Sequence, residues 1–151
     1  MAIWSKLKFW SSRFWNNTRR VRPVHLERGS LGEDAARDYL KEQGLKFLAA
    51  NFKCKEGEID LVFRDGESLV FVEVKTRTAG GWTRPSKAVD DRKRKALVQT
   101  ASEYLRLLGT RDVAYRFDVV EVLLKEGAVA EVRHNLNSFH SKMIRPRGWR
   151  R

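Results

Sequence analysis

Residues 57–77 (GEIDLVFRDGESLVFVEVKTR) constrain the fold most, because they contain two apolar segments separated by a single Asp-Gly turn. Alternating apolar residues on both sides of such a turn predict a β-hairpin, here with strands at 58–64 and 67–76. Ionisable residues nevertheless stand near the strand centres: Asp60, Glu73 and Lys75. Burying an unpaired charge is costly, so these side chains require an open face or a cation that joins them.

Helix and strand patterns alternate on both sides of the hairpin. Helical spacing of apolar residues predicts helices, and short apolar runs between turn residues predict strands. The predicted elements are a helix at 30–44, a strand at 45–55, the hairpin, a loop at 76–86, a helix at 86–109, and strands at 113–124 and 128–134. This order, αβββαββ, has a helix between the third and fourth strands, which permits a parallel crossover. The predicted fold class is therefore α/β, with a mixed β-sheet flanked by helices.

The first predicted helix has clear start and stop signals. Ser30 is a suitable N-cap, Glu33 stands at the N3 position of a capping box, and Gly44 follows the last turn. A capping role for Glu33 competes with any functional role, because one carboxylate cannot easily hold its own N-terminal amide and also reach a ligand.

The chain is strongly basic. It has 31 Lys and Arg against 19 Asp and Glu, a formal net charge of +12, and a pI near 10.3. This balance favours polyanionic partners, nucleic acid first and acidic membrane surfaces second, although positive charge can also serve solubility alone. The single cysteine, Cys54, excludes an internal disulfide framework and fits a reducing cytoplasm. No apolar run reaches the roughly 18 residues needed to cross a bilayer, so we expect a cytoplasmic protein.

Composition divides the chain into three regions. Residues 1–28 form a basic, tryptophan-rich N-terminal arm, residues 29–134 the α/β domain, and residues 135–151 a basic C-terminal tail. As a helix, the arm would carry apolar and aromatic residues on one face, which is typical of segments that bind polyanions or membrane surfaces. A contact with an anionic membrane through residues 1–22 and a flexible extension are both compatible with this sequence.

The three ionisable residues of the hairpin suggest a reaction. Alternation places Glu73 and Lys75 on one face, and the short turn brings Asp60 next to Glu73 when the strands are in register. Two adjacent carboxylates repel each other unless a cation neutralises them, and Mg²⁺ or Mn²⁺ suits an all-oxygen site. A lysine beside that cation can orient an attacking water or stabilise charge on a phosphate, which fits metal-assisted phosphodiester hydrolysis. The alternative is structural: Glu73 pairs with Lys75 on a solvated face, and Asp60 pairs with an arginine.

Four segments carry a resemblance to a known family. GEDAARDYL (32–40), GEIDLV (57–62), FVEVKTR (71–77) and RFDVV (116–120) resemble, in sequence and order, the YraN family of small bacterial proteins. That family is similar to the Holliday-junction-resolvase branch of the PD-(D/E)XK nucleases. The resemblance covers about residues 29–124 and implies a restriction-endonuclease-like fold.

The resemblance also implies catalytic and metal-binding roles. Asp60 resembles the motif aspartate, and Glu73 with Lys75 resembles the E-x-K pair that follows it. Glu33 resembles the carboxylate that the first helix adds to the site in related resolvases. The backbone carbonyl of Val74 is expected to complete the metal shell around Asp60 and Glu73.

Further residues are expected to contact nucleic acid or to support the fold. The expected nucleic-acid contacts are Arg77, Trp82, Arg84 and Lys93. Lys93 fits a merely solvated position on the long helix equally well, because its neighbours are charged too. Asp118 of RFDVV is expected to pair with Arg116 or Arg77 rather than to act in catalysis.

Three functions follow from these observations. The first is a DNA endonuclease that depends on Mg²⁺ or Mn²⁺, acts on branched or single-stranded DNA, and by analogy works as a homodimer. The second is a nucleic-acid-binding module that has kept the fold and lost cleavage. The third is a membrane-surface adaptor that binds through the N-terminal arm.

Overall fold

The computed structural model of the protein describes residues 24–79, 90–109 and 112–139. These residues form two helices and five strands. The elements are α1 (Val24–Glu42), β1 (Lys46–Cys54), β2 (Gly57–Asp65), β3 (Ser68–Thr78), α2 (Asp91–Leu107), β4 (Tyr115–Lys125) and β5 (Ala128–Phe139). Their order confirms the predicted αβββαββ. In the described ranges, no helix combines the length and apolar character that a membrane crossing demands.

All five strands belong to one mixed sheet. They lie side by side in chain order, β1 to β5. The neighbouring pairs are antiparallel, except for β3 and β4, which are parallel. Because parallel neighbours cannot be joined by a tight turn, the chain crosses between them through α2. The predicted α/β class with a mixed sheet is confirmed.

Two apolar layers, one on each face of the sheet, hold the helices in place. On one face, α2 packs through Leu97, Val98, Ala101, Tyr104 and Leu105. On the other face, α1 packs through Ala36 and Leu40. The two faces are named here the α2 face and the α1 face. Along β3 the sides alternate as predicted: Leu69 and Phe71 lie on the α2 face, and Val70 and Val72 on the α1 face.

Both helices begin at other residues than predicted. Helix α1 starts at Val24, so Ser30 lies within it and the capping box expected for Ser30 and Glu33 is wrong. A serine inside a helix costs only a fraction of a kcal/mol, about 0.5, so the local capping signal does not stop the helix there. Helix α2 is capped by Asp90, whose side chain accepts a hydrogen bond from the Lys93 backbone N–H at 2.9 Å.

The region boundaries shift as well. Residues 24–28, assigned above to the arm, belong to α1. Strand β5 continues to Phe139, so residues 135–139 belong to the sheet rather than to the basic tail. The remaining arm and tail, and the segment 80–89 with Trp82 and Arg84, lie outside the described residues. Their expected roles stay predictions.

Candidate functional site

Backbone pairing between β2 and β3 ends just before Asp60 and Glu73, two of the predicted site residues. The paired residues run from Asp65 opposite Ser68 to Leu61 opposite Val72. Beyond that pair, Oδ2 of Asp60 accepts a hydrogen bond from the backbone N–H of Val74 at 2.7 Å. A side chain has therefore replaced the backbone of β2 as the partner of β3, which leaves the Asp60 carboxylate between the two strands.

Side chains along β2 also stop alternating regularly between the two faces of the sheet at Asp60. Strict alternation would place Ile59, Leu61 and Phe63 on one face, but Ile59 packs on the α2 face, whereas Leu61 and Phe63 pack on the α1 face. On β1, Asn51 lies between the residues paired with Ile59 and Leu61 and has a positive φ of 52°. Both strands are thus irregular at the level of Asp60.

Glu73 is buried beside α2. One of its oxygens, Oε1, lies 3.2 Å from the Lys93 ammonium. The other, Oε2, is buried and has no hydrogen-bond partner among the described residues. A buried carboxylate oxygen without a donor is costly and uncommon. The contact with Glu73 means that Lys93 is not merely a solvated residue of α2.

Asp60 lies in an unfavourable environment for a charged carboxylate. Burial, followed by the charge of Glu73, raises the pKa of Asp60 from 3.8 to about 8. The Val74 N–H and the Lys93 ammonium act in the opposite direction, and the Glu33 carboxylate raises the pKa further. Charges from both helices therefore act on Asp60, which lies between them.

Glu33 is brought to the site by close packing of α1 against the sheet. A Cβ atom at Gly32 would collide with the Thr76 hydroxyl on β3. The Thr76 Cβ and Cγ2 would also lie only 3.0 and 3.2 Å away, so rotation of that side chain does not relieve the collision. Only glycine permits this approach, and the next residue along the helix is Glu33.

We predict that Gly32→Ala weakens both the fold and the site. The added methyl forces α1 away from β3, which should lower the free energy of unfolding by about 1–3 kcal/mol and move Glu33 away from Asp60. Urea unfolding and Mn²⁺ titration calorimetry measure the two effects. Gly29→Ala is the matched control on the same helix, because a Cβ there meets nothing within 4 Å. Equal stability of the two variants would contradict the prediction.

Lys75 and Arg77 follow Glu73 on the same face of β3. Both side chains are half-buried. In the parallel pairing, Lys75 lies beside Glu121 of β4, and Glu121 is only 2% exposed. Sequence reasoning missed Glu121, although an acidic residue inside the apolar run of β4 was a signal of the same kind as Glu73.

Asp118 belongs to a separate network on the α1 face. It is completely buried and accepts hydrogen bonds from Arg116 at 3.1 Å, from His134 at 2.8 Å and from the Asn137 backbone N–H at 2.9 Å. Arg116 also pairs with Asp65 at 2.7 Å. The expected pairing of Asp118 with Arg116 is therefore present, and it links β4 to β5 and to the β2–β3 turn.

The donor set of the site suits a hard divalent cation. Within the described ranges no three His, Cys, Asp or Glu side chains form a metal-binding group, so two carboxylates, Asp60 and Glu73, are the side-chain ligands on offer. One oxygen of Glu73 lacks a donor, and burial together with the charge of Glu73 disfavours the charged form of Asp60, so a bound cation would favour both carboxylates. With the Val74 carbonyl, these are the oxygen donors that Mg²⁺ or Mn²⁺ prefers.

The fold places the chain in a recognised class, the restriction-endonuclease-like α/β proteins. The family model of Uncharacterised protein family UPF0102 matches residues 32–122, so the chain belongs to this family. UPF0102, also called YraN, is a PD-(D/E)XK nuclease-like family, and the resemblance inferred from the four sequence segments is confirmed.

Similar UPF0102 proteins come from several bacteria. One from Caldanaerobacter subterraneus is 43% identical over 113 residues, which cover 74% of this chain and 93% of the relative. One from Symbiobacterium thermophilum is 43% identical over 115 residues, covering 75% and 96%. One from Geobacter metallireducens is 40% identical over 111 residues, covering 74% and 90%.

Proposed function

We propose that the protein is a DNA endonuclease that depends on Mg²⁺ or Mn²⁺ and hydrolyses phosphodiester bonds in branched or single-stranded DNA. One observation carries the proposal: the buried Glu73 oxygen has no hydrogen-bond partner among the described residues, and it lies near an Asp60 carboxyl whose pKa is raised by burial and by the charge of that same glutamate. A fold gains nothing from two such carboxylates unless a cation joins them. Membership of a PD-(D/E)XK nuclease-like family supports the same function.

Each residue of the site has a part in this chemistry. Asp60, Glu73 and the Val74 carbonyl would hold the cation, and Glu33 adds negative charge from α1. When bound, the cation supplies Lewis-acid polarisation of a phosphate oxygen and lowers the pKa of a water. Lys75 presents its ammonium to the attacking water or to the charge that develops on the phosphate.

The remaining basic residues would bind the DNA backbone. The net charge of +12 gives phosphate affinity that does not depend on base sequence. Arg77, which follows Lys75 on the same face, would contact a neighbouring phosphate. Trp82 and Arg84, in the segment that follows β3, are proposed to extend this contact, with Trp82 stacking on an unpaired base. Neither described helix carries a pattern for reading base edges, so selection by DNA structure is favoured over selection by sequence.

A binding module without cleavage is the second candidate, and one contact favours it. The Lys93 ammonium lies 3.2 Å from Glu73 Oε1 and partly neutralises the site without any metal. A protein that no longer needed the cation could keep this ion pair as its permanent counter-charge. In that case Mn²⁺ would bind weakly, and DNA affinity would not depend on it.

A cleavage assay separates the two candidates. The full-length protein is incubated with four-way junction, flap, single-stranded and duplex DNA in Mg²⁺ or Mn²⁺, with EDTA as the metal-free control. We expect cutting of the branched or single-stranded substrates and none in EDTA. Tight binding without cutting on any substrate would favour the binding module.

Lys75→Ala tests the role of the lysine in the same assay. We predict a loss of cleavage rate of about 10²- to 10³-fold, typical of removing a group that stabilises developing charge, with little change in DNA affinity. Lys125→Ala is the control, because Lys125 is an exposed lysine at the end of β4. Equal losses of affinity and rate in the Lys75 variant would make Lys75 a phosphate contact only.

A further inference from the structure

Two carboxylate oxygens in the described part of the chain are buried without a hydrogen-bond partner. They are Oε2 of Glu73 and Oε1 of Glu121. Glu73 is accounted for by the proposed metal site, but Glu121 is not. Its second oxygen receives only a long hydrogen bond, 3.4 Å, from the Asn135 side chain. Glu121 is 2% exposed, so bulk solvent does not reach it.

The sheet brings Lys75 between these two carboxylates. Lys75 lies beside Glu121 in the parallel pairing of β3 with β4, and Glu73 lies beside Val119. Val119 packs on the α2 face, and alternation places Glu73, Lys75 and Glu121 on that same face. Adjacent strands are about 4.8 Å apart, well within the length of a lysine side chain.

The Lys75 ammonium is free to take a carboxylate partner. Within the described part of the chain it forms no salt bridge, whereas Glu73 pairs with Lys93. A lysine side chain has up to about 2 kcal/mol of rotamer entropy to lose. Arg133 of β5 lies on the other side of Glu121. A hydrogen bond to Glu131 at 2.6 Å, and after it the charges of Glu131 and Glu121, raise the pKa of Arg133, but Oε1 of Glu121 receives no hydrogen bond from it. Among the described residues, Lys75 is therefore the cation beside Glu121 that has no carboxylate partner of its own.

We propose that Glu121 is a positioning residue: it accepts a hydrogen bond from the Lys75 ammonium and fixes it over the site while Glu73 holds the metal. Glu121 touches neither DNA nor metal in this arrangement. The inference rests on the proposed nuclease function, since Lys75 has its catalytic task only there. The contact between the two side chains, however, is measurable without any cleavage.

Glu121→Gln tests the proposal, because it keeps the size of the side chain and removes its charge. We expect a single-turnover cleavage rate lower by about 10- to 100-fold, as for a misplaced catalytic group, with DNA and Mn²⁺ affinities unchanged. In a Lys75→Ala background, Glu121→Gln should cause no further loss, because its effect acts only through that lysine. Glu131→Gln, a half-exposed carboxylate of β5, is the control. A wild-type rate for Glu121→Gln, or an equal loss in both backgrounds, would overturn the proposal.

A second measurement does not require activity. The ¹⁵N-ammonium NMR signal of Lys75 in the Mg²⁺-loaded protein should be visible in the wild type, protected by its hydrogen bond, and lost in Glu121→Gln. If wild-type protein cuts no DNA but this signal depends on Glu121, the nuclease function fails and the positioning contact stands. If the signal is the same in both proteins, the contact does not exist, whatever the cleavage result.

Discussion

Asp60→Asn should make the metal-free protein more stable at pH 8 while abolishing its binding of Mn²⁺ and its cleavage of DNA. The wild-type carboxyl has a pKa of about 8 in the folded protein, because of burial and the Glu73 charge. Asparagine is uncharged, so the variant avoids the cost of a buried charged carboxylate next to Glu73. Its amide oxygen can still accept the hydrogen bond from the Val74 N–H, which Asp60 now accepts at 2.7 Å. The gain should be on the order of 2–4 kcal/mol.

The sign of the pH dependence follows from the direction of the shift. Below pH about 4, the ordinary value of an aspartate, both folded and unfolded protein keep the proton on Asp60. Between about 4 and about 8, the unfolded chain releases it and the folded protein retains it, so stability falls as the pH rises. Above that range the loss is complete. Asp60→Asn should remove this decline.

Urea unfolding at pH 5 and pH 8, with and without Mn²⁺, measures all of these effects. Mn²⁺ should stabilise the wild type, because it binds the folded state, and should not stabilise Asp60→Asn. Asp60→Ala is a useful comparison, since it leaves the Val74 N–H without its acceptor and should lose about 1–3 kcal/mol relative to the asparagine variant. Asp91→Asn, which changes an almost fully exposed carboxylate, controls for net charge. A less stable Asp60→Asn protein would instead favour a structural ion pair at Asp60.

Asp118→Ala should have the largest effect on stability, a loss of about 3–5 kcal/mol. The substitution leaves the Arg116 guanidinium, His134 and the Asn137 N–H around a buried position without their shared acceptor. Asp65→Ala, at the half-exposed end of the same network, should lose at most about 1 kcal/mol. Urea unfolding at pH 7 compares the two variants.

The same network predicts a loss of stability in acid. Burial by itself would raise the pKa of Asp118, but hydrogen bonds from His134 and Asn137 and the charge of Arg116 lower it overall. Its contribution to stability is therefore present above the ordinary aspartate pKa, about 4, and is lost as the pH falls through the lowered value. Cleavage per folded molecule should not change in Asp118→Ala. A stable variant that has lost cleavage would instead assign Asp118 to the site.

The β2–β3 hairpin and the crossover between β3 and β4 were predictable, because each depends on a short stretch of sequence. The Asp-Gly turn and the alternating residues fixed the β2–β3 hairpin, and the helix before β4 implied the parallel crossover. Side chains along β3 alternate between the two faces as predicted, because a helix packs on each face of the sheet. The start of α1 was not predictable from Ser30 and Glu33, since a capping signal does not say whether the residues before it are helical as well.

Contacts between distant elements could not be read from the sequence. The side chains of β2 do not alternate regularly between the faces at Asp60, whose carboxylate accepts a hydrogen bond from the Val74 N–H. This hydrogen bond depends on where the pairing of β2 with β3 ends. Lys93 reaches Glu73 only because α2 lies across that part of the sheet. Glu121 lies beside Lys75 through the pairing of β4 with β3, whose register the sequence does not specify. The hairpin residues of the site were thus predictable, whereas the contact of Lys93 with Glu73 and the position of Glu121 beside Lys75 were not.

The pleat of β4 has a consequence for protein engineering. Asp118 and Glu121 lie on opposite faces of this strand, the first within the network that holds the sheet together and the second beside the proposed site. Substitutions on the α1 face that improve packing around Val120 and Val122 can therefore raise the melting temperature without redesign of the reactive surface. Directed evolution of substrate preference, in turn, can concentrate its libraries on the residues of β3, β4 and β5 that point towards α2. Residues at alternate positions of β4 thus affect the stability of the fold on one face and the specificity of the proposed site on the other.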